Sequence, residues 1–186
     1  MTPAEREHAV AYLERTKSAL LDAAAPLSES QWRFKPGPDQ WSAAECIEHL
    51  VLVEERIFAS IQKVVAGPPA GAEVLRSCAG KESTIQRAVP VRGTKVTAPE
   101  PVRPSAGSGN PAAAVARFSA TRDRTLEYAR ATTDPIRQRT FPHIVFGQID
   151  CYQWLIFVSA HTERHLAQLL EATEAEGRAR QTASGL

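Results

Sequence analysis

Two histidines four residues apart, His161 and His165, stand in the segment HTERHLAQLL, which otherwise reads as the apolar interior of a long helix. An imidazole that leaves water needs a hydrogen-bond partner or a metal ion. At about 100° per residue, Trp154, Val158, His165, Leu169 and Ala172 all lie within roughly 80° of His161, so both rings face the interior. A third histidine, His49, falls on the apolar stripe of another predicted helix, with Cys46, Leu50, Val53, Ile57, Ile61 and Val64. Ring nitrogens at i and i+4 on one helical face can bind a single ion. Three imidazoles from two helices therefore predict a site for a divalent metal, zinc or nickel. The alternative is a set of core histidines satisfied by hydroxyls and carbonyls, which would need many partners in one place.

The spacing excludes two better-known metal schemes. In HTERH the acid is Glu163, third in the motif and projecting away from the histidines, so it is not the general base of a zinc protease. Carboxylate-rich di-iron bundles need ExxH on two helices. Here ExxH occurs as Glu5 to His8, at a helix start where Glu5 already serves as a cap. His8 reads as surface and His143 as a loop contact. Around the three candidate ligands, Glu45 could orient an imidazole, although a capping role accounts for it. Gln168 lies about 20° from His161 on the same line and could hydrogen-bond near the ion. Cys46 shares the face of His49 and reads first as a small buried hydrophobe.

Four long helices must position these residues. Thr2-Pro3-Ala4-Glu5 is a capping box with proline at the first helical position, and this first helix ends before Pro26. SESQWRFKPGPDQ reads as one short turn and a loop. The second helix opens at QWSAAEC, with Ser42 and Glu45 as a capping box and Trp41 and Cys46 as a hydrophobic staple, and stops near Gly67. The third starts at Asn110-Pro111 and runs to about Thr133. The fourth starts after the turn at Gly147, with Asp150 as cap and Gln153 three later, and runs to about Glu176. Residues 67–111 hold much of the proline and glycine and read as a long crossover, with AEVLRSC as a brief helix. No segment alternates convincingly as a strand, although FPHIVF could be extended.

Four amphipathic stripes bury one another in a bundle. The expected fold is all-α, one domain over residues 1–186, a four-helix bundle of up-down-down-up topology with the crossover joining the second and third helices. A chain of 186 residues, 43% hydrophobic and with a formal net charge of +1, gives no electrostatic reason to expect nucleic acid or a membrane surface as partner. Arg122, Arg124, Arg137 and Arg139 lie beside acids or in a loop and read as solvated surface. The N-terminus is too charged for a signal peptide, and the apolar run WLIFVSA is too short to span a bilayer. Cys46, Cys78 and Cys151 are odd in number and widely spaced, which favours reduced thiols and a cytoplasmic setting.

QWSAAECIEHL, then APEPVRP, then HTERHLAQLL together resemble the DinB-like, damage-inducible family of metal-binding four-helix bundles, and the resemblance spans the chain. It implies His49, His161 and His165 as metal ligands. Some members are bacillithiol transferases or a mycothiol-dependent isomerase. The expected partner is thus a small-molecule substrate, with a low-molecular-weight thiol as co-substrate, and pairing into a homodimer through an exposed helix face is compatible with such a bundle. A metal-dependent transferase, a metal-dependent hydrolase and a non-catalytic stress protein that binds metal or a small ligand all fit the same residues. Because ligation needs neutral imidazole, metal affinity is expected to fall below about pH 6 to 6.5.

Overall fold

The structure, a computed structural model, describes residues 1–93, 97–105 and 110–184. Its helices are α1 (Pro3–Ala24), α2 (Glu29–Arg33), α3 (Ala43–Val65), α4 (Ala72–Cys78), α5 (Lys81–Ala88), α6 (Pro111–Ala131) and α7 (Cys151–Ser184). A hairpin of β1 (Thr140–His143) and β2 (Gly147–Asp150) precedes α7. Among the described residues no helix is long and apolar enough to cross a membrane.

The helix starts follow the local chemistry. Thr2 with Glu5, and Ser42 with Glu45, close reciprocal capping boxes. Asn110 accepts from the amide of Ala112, with Pro111 at the first position of α6. Asp150 and Gln153 exchange side-chain to backbone bonds of 2.9 and 3.1 Å at the start of α7. Each such cap satisfies amides the helix leaves unpaired and stabilises it by about 1 kcal/mol.

Helices α1, α3, α6 and α7 form the bundle, with α1 and α3 each packed against both α6 and α7. Cross-helix pairs give their directions. Arg6 donates to the carbonyl of Ala129 while Lys17 pairs with Asp123, so α1 and α6 are antiparallel. Glu54 meets Arg122 and Phe58 meets Tyr128, so α3 and α6 are parallel. Tyr12 donates to Glu163 at 2.5 Å while Arg137 joins Glu5 to Asp150, so α1 and α7 are parallel.

The core divides in two. One cluster holds Leu13, Ile57, Ile61, Leu126 and residues 154–158 of α7; the other holds Leu20, Trp32, Ile47, Leu50, Phe118 and Leu169. Between them runs a buried polar layer centred on Arg122, whose side chain is fully buried. Its Nε bonds both oxygens of Glu54, at 2.9 and 3.0 Å. One terminal nitrogen donates to the Leu13 carbonyl and the Thr16 hydroxyl, and the other to Glu54 and the Thr162 hydroxyl. One guanidinium therefore ties α6 to α3, α1 and α7.

Several expectations need correction. Arg122 is not solvated surface. Arg137 is half-buried among Glu5, Glu82 and Asp150, and two nitrogens of Arg139 are buried with no hydrogen-bond partner among the described residues, whereas Arg124 does lie exposed beside Glu55. Along the apolar face of α3 it is Glu54 that is buried, and Val53 is only half-buried. The crossover is more than a loop with one brief helix: α5 follows α4 and packs on α7, and Glu100–Val102 forms a 3-10 turn, while residues 94–96 and 106–109 lie outside the described residues. FPHIVF is a paired strand and turn, closed by Gly147 at φ +64°, a conformation that favours glycine. The last helix continues eight residues past Glu176, to Ser184.

Candidate metal centre

His49 is carried by the second turn of α3, and His161 and His165 by successive turns of α7. The antiparallel packing of these helices brings the three together. One donor nitrogen from each ring lies within 4.8 Å of the others, and the ring centroids are 4.5 to 5.1 Å apart. The Nε2 atoms of His161 and His165 are 3.1 Å apart. Two nitrogens about 2 Å from one tetrahedral zinc lie roughly 3.3 Å from each other, so this spacing suits a shared ion.

Two of the rings are held in the ligating tautomer. The Nδ1–H of His49 donates to the carbonyl of Val102 at 2.6 Å, and that of His165 to Oε1 of Gln168 at 3.0 Å. In both, the Nε2 lone pair is left for the ion, the arrangement in which a partner beyond the ligand fixes ring orientation and raises its basicity. The Val102 carbonyl comes from the APEPVRP segment, which is fastened to α3 by bonds from the amide and hydroxyl of Ser105 to Glu48. Part of the crossover thus serves the site directly. Substituting Gln168 with alanine is expected to weaken metal binding about 10- to 100-fold, read by competition with a metallochromic chelator.

Burial makes these imidazoles hard to protonate. His49 and His165 are almost wholly inside, and His161 keeps part of its surface exposed. Desolvation, followed by the repulsion of neighbouring cationic rings, holds His161 and His165 well below the ordinary histidine range, and desolvation also lowers His49. All three rings are therefore neutral at pH 7. Metal affinity should therefore stay flat through pH 6.5 and fall only at lower pH, which moves the sequence-based expectation downward. For the metal-free protein, unfolded histidines take up protons from about pH 6.5, before the folded ones do. Stability is then lost as pH falls from about 6.5 toward the depressed folded values, by up to about 1.4 kcal/mol per group per pH unit. Metal titrations and melts at pH 5, 6 and 7.5 check both statements.

The other singled-out residues separate clearly. Glu45 is buried, but one oxygen accepts from the amide and hydroxyl of Ser42 and the other pairs with Lys35 at 2.7 Å, so it does not orient an imidazole. Cys46 is fully buried with its thiol pKa pushed up by desolvation, and it does not join the donor cluster. Trp41, expected to staple across the cap, lies against His49 at 4.7 Å and nearly parallel to His165 at 5.7 Å. Glu163 faces Tyr12 and Arg15, away from the histidines. The sequence reading missed Val102 as the partner of His49, since nothing in a proline-rich stretch marks which carbonyl turns inward. It also missed Phe157, stacked on His161 at 5.2 Å, which was legible from its spacing of four.

A four-helix bundle that brings three histidine donors together, two of them with Nδ1 already engaged, has the donor set of a divalent-metal site. The family model of the DinB superfamily matches residues 12–169, and the chain belongs to that family. It is 25% identical over 148 residues to the uncharacterised protein YuaE of Bacillus subtilis (strain 168), covering 80% of this chain and 86% of that one. Among solved structures it is similar to YfiT from Bacillus subtilis, described as a probable metal-dependent hydrolase with an unusual four-helix bundle topology. That match has a TM-score of 0.65 at 15% identity, over 95% of this chain and 90% of YfiT.

Proposed function

We propose that the chain is a divalent-metal-dependent transferase that activates a low-molecular-weight thiol at the centre formed by His49, His161 and His165. The observation that carries this reading is the convergence of three neutral nitrogen donors, two of them with Nδ1 already engaged. Three protein ligands leave a position for a further one, the pattern of a catalytic and not a closed structural site. A bound zinc or nickel ion supplies a Lewis acid that lowers the pKa of a coordinated thiol or water into the neutral range. The protein's own residues do the rest: Val102 and Gln168 hold the rings in register, and Trp41 and Phe157 line two sides of the cluster.

The thiol is favoured over water by the carboxylates. Attack by water is assisted by a group that accepts its proton, and among the described residues Glu45, Glu54 and Glu163 are each engaged elsewhere. A coordinated thiol loses its proton outright and needs no such base. The second reading, a metal-dependent hydrolase, is favoured by the likeness to YfiT.

Zinc- or nickel-loaded protein should consume a thiol from a panel of low-molecular-weight thiols offered with alkylating and epoxide electrophiles, and lose that activity with the metal. Hydrolysis of ester or amide substrates without thiol consumption would instead support the second reading. Metal retained with no turnover of either kind would mark a non-catalytic binder.

A further inference from the structure

The two ligands whose Nδ1 is engaged are oriented by different means. Gln168, which holds His165, stands three residues along the same helix, so α7 alone sets its place. The partner of His49 is a main-chain carbonyl on the 3-10 turn Glu100–Val102, outside both helices of the site. A helix fixes the spacing of its own side chains, but a carbonyl on a separate segment needs something to fix the segment. The tolerance is small. The bond is 2.6 Å long, and a shift of about 1 Å takes it to the separation at which a hydrogen bond is lost.

The turn is closed on itself by bonds from the amide of Val102 to Pro99, from the amide of Arg103 to Glu100 and from the Arg103 side chain to Ala98, at 2.9 to 3.1 Å. Among the described residues, the hydrogen bonds that join residues 98–105 to the bundle land on two neighbours of α3: Val102 meets His49, and Ser105 meets Glu48. One oxygen of Glu48, Oε1, accepts from the amide of Ser105 at 3.1 Å and from its hydroxyl at 2.7 Å. The buried Val102 side chain seats the turn, yet a single point of attachment is a pivot. A second point, three residues on, turns the pivot into a fixed bearing.

We infer that Glu48 is a positioning residue of the metal centre: by gripping Ser105 it keeps the Val102 carbonyl on Nδ1 of His49, and so keeps the Nε2 lone pair of that ring turned to the ion. This rests on the metal-dependent reading above and adds a residue that acts on the ion through two others. If Glu48 did no more than tack down a loop, its loss would free Ser105 and leave the hold on the ion unchanged.

Two measurements on the full chain test this: zinc affinity, by competition with a chromophoric chelator, and the visible bands of the cobalt(II)-loaded protein, which report coordination geometry. E48A should bind zinc about tenfold more weakly, with its cobalt bands displaced. E48Q keeps an oxygen that accepts from Ser105 and loses the charge, so it should stay within about threefold of the unaltered protein and keep its bands. S105A keeps the amide donor and should lose about threefold, with no further loss when combined with E48A. Unchanged zinc affinity in E48A would overturn the inference while leaving the metal site standing. So would E48Q as weak as E48A, since the ion would then feel the charge of Glu48 and not its grip. Should E48A fail to fold, S105A decides, and full affinity in that variant would count against the inference. Unaltered protein that takes up neither zinc nor cobalt would remove the metal site, and with it both readings.

Discussion

Replacing His165 with alanine should strip the protein of its metal while leaving the bundle folded. His165 is central to the cluster: its Nε2 is 3.1 Å from that of His161, its Nδ1 is oriented by Gln168, and Trp41 lies nearly parallel to it. Binding free energies of about 10 to 16 kcal/mol for four-ligand zinc sites imply about 3 to 4 kcal/mol per ligand, so one lost ligand weakens affinity by about two to three orders of magnitude. Elemental analysis after dialysis against a mild chelator should find metal in the unaltered protein and almost none in H165A. His49→Ala should behave alike, since it removes the ligand contributed by α3. The far-UV circular dichroism of both variants should stay helical, because the surrounding stripe is apolar and α7 continues well past the site. Full metal content in H165A would dismiss the three-histidine centre, and global unfolding would make the site structural.

The largest effect on stability is expected at Glu54. Converting it to glutamine keeps the shape and removes the charge opposite Arg122, a side chain with no exposure to water. Breaking a buried pair by neutralising one member costs about 3 to 5 kcal/mol, because the other charge stays uncompensated in a medium of low polarity. For a domain of this size each kcal/mol lowers Tm by about 2 to 4 °C, so E54Q should melt about 6 to 20 °C lower. The double variant E54L/R122M, which replaces the pair with apolar groups, should recover much of that loss. Thermal melts of the metal-free proteins give the comparison without a contribution from bound ion. A melting point for E54Q within about 2 °C of the unaltered protein would mean that water reaches the pair.

The same four helices show what could be read from residues alone and what could not. Capping boxes at Thr2 and Ser42 and the Asn110-Pro111 start were legible because a helix terminus is specified by neighbours three or four residues away. The convergence of His49, His161 and His165 was legible for a related reason, since each stands on an apolar stripe that must face the bundle. The Arg122 layer obeys the same geometry but runs against the general rule that arginine is seldom fully buried unless paired. Arg122 stands on the apolar line from Phe118 to Leu126, Glu54 on that from Leu50 to Ile57, and Thr16 between Leu13 and Leu20. Each helix places a polar group at a matching height, and that coincidence was the available signal. Val102, by contrast, owes its role to its main-chain carbonyl, and α5 and the hairpin owe theirs to long-range packing on α7; neither leaves a periodic mark in the chain.

The bond from His49 to Val102 joins a ligand to a main-chain atom 53 positions away, in a segment that belongs to neither helix of the site. Thermodynamic reciprocity then applies: whatever shifts the crossover alters the hold on the cation, and filling or emptying the cluster alters the crossover by an equal coupling free energy. Amide exchange at Glu100, Val102 and Arg103 is accordingly a reporter of occupancy, slowing as the cation is taken up. A ligand that settles on APEPVRP would act as a remote control over an atom it never touches.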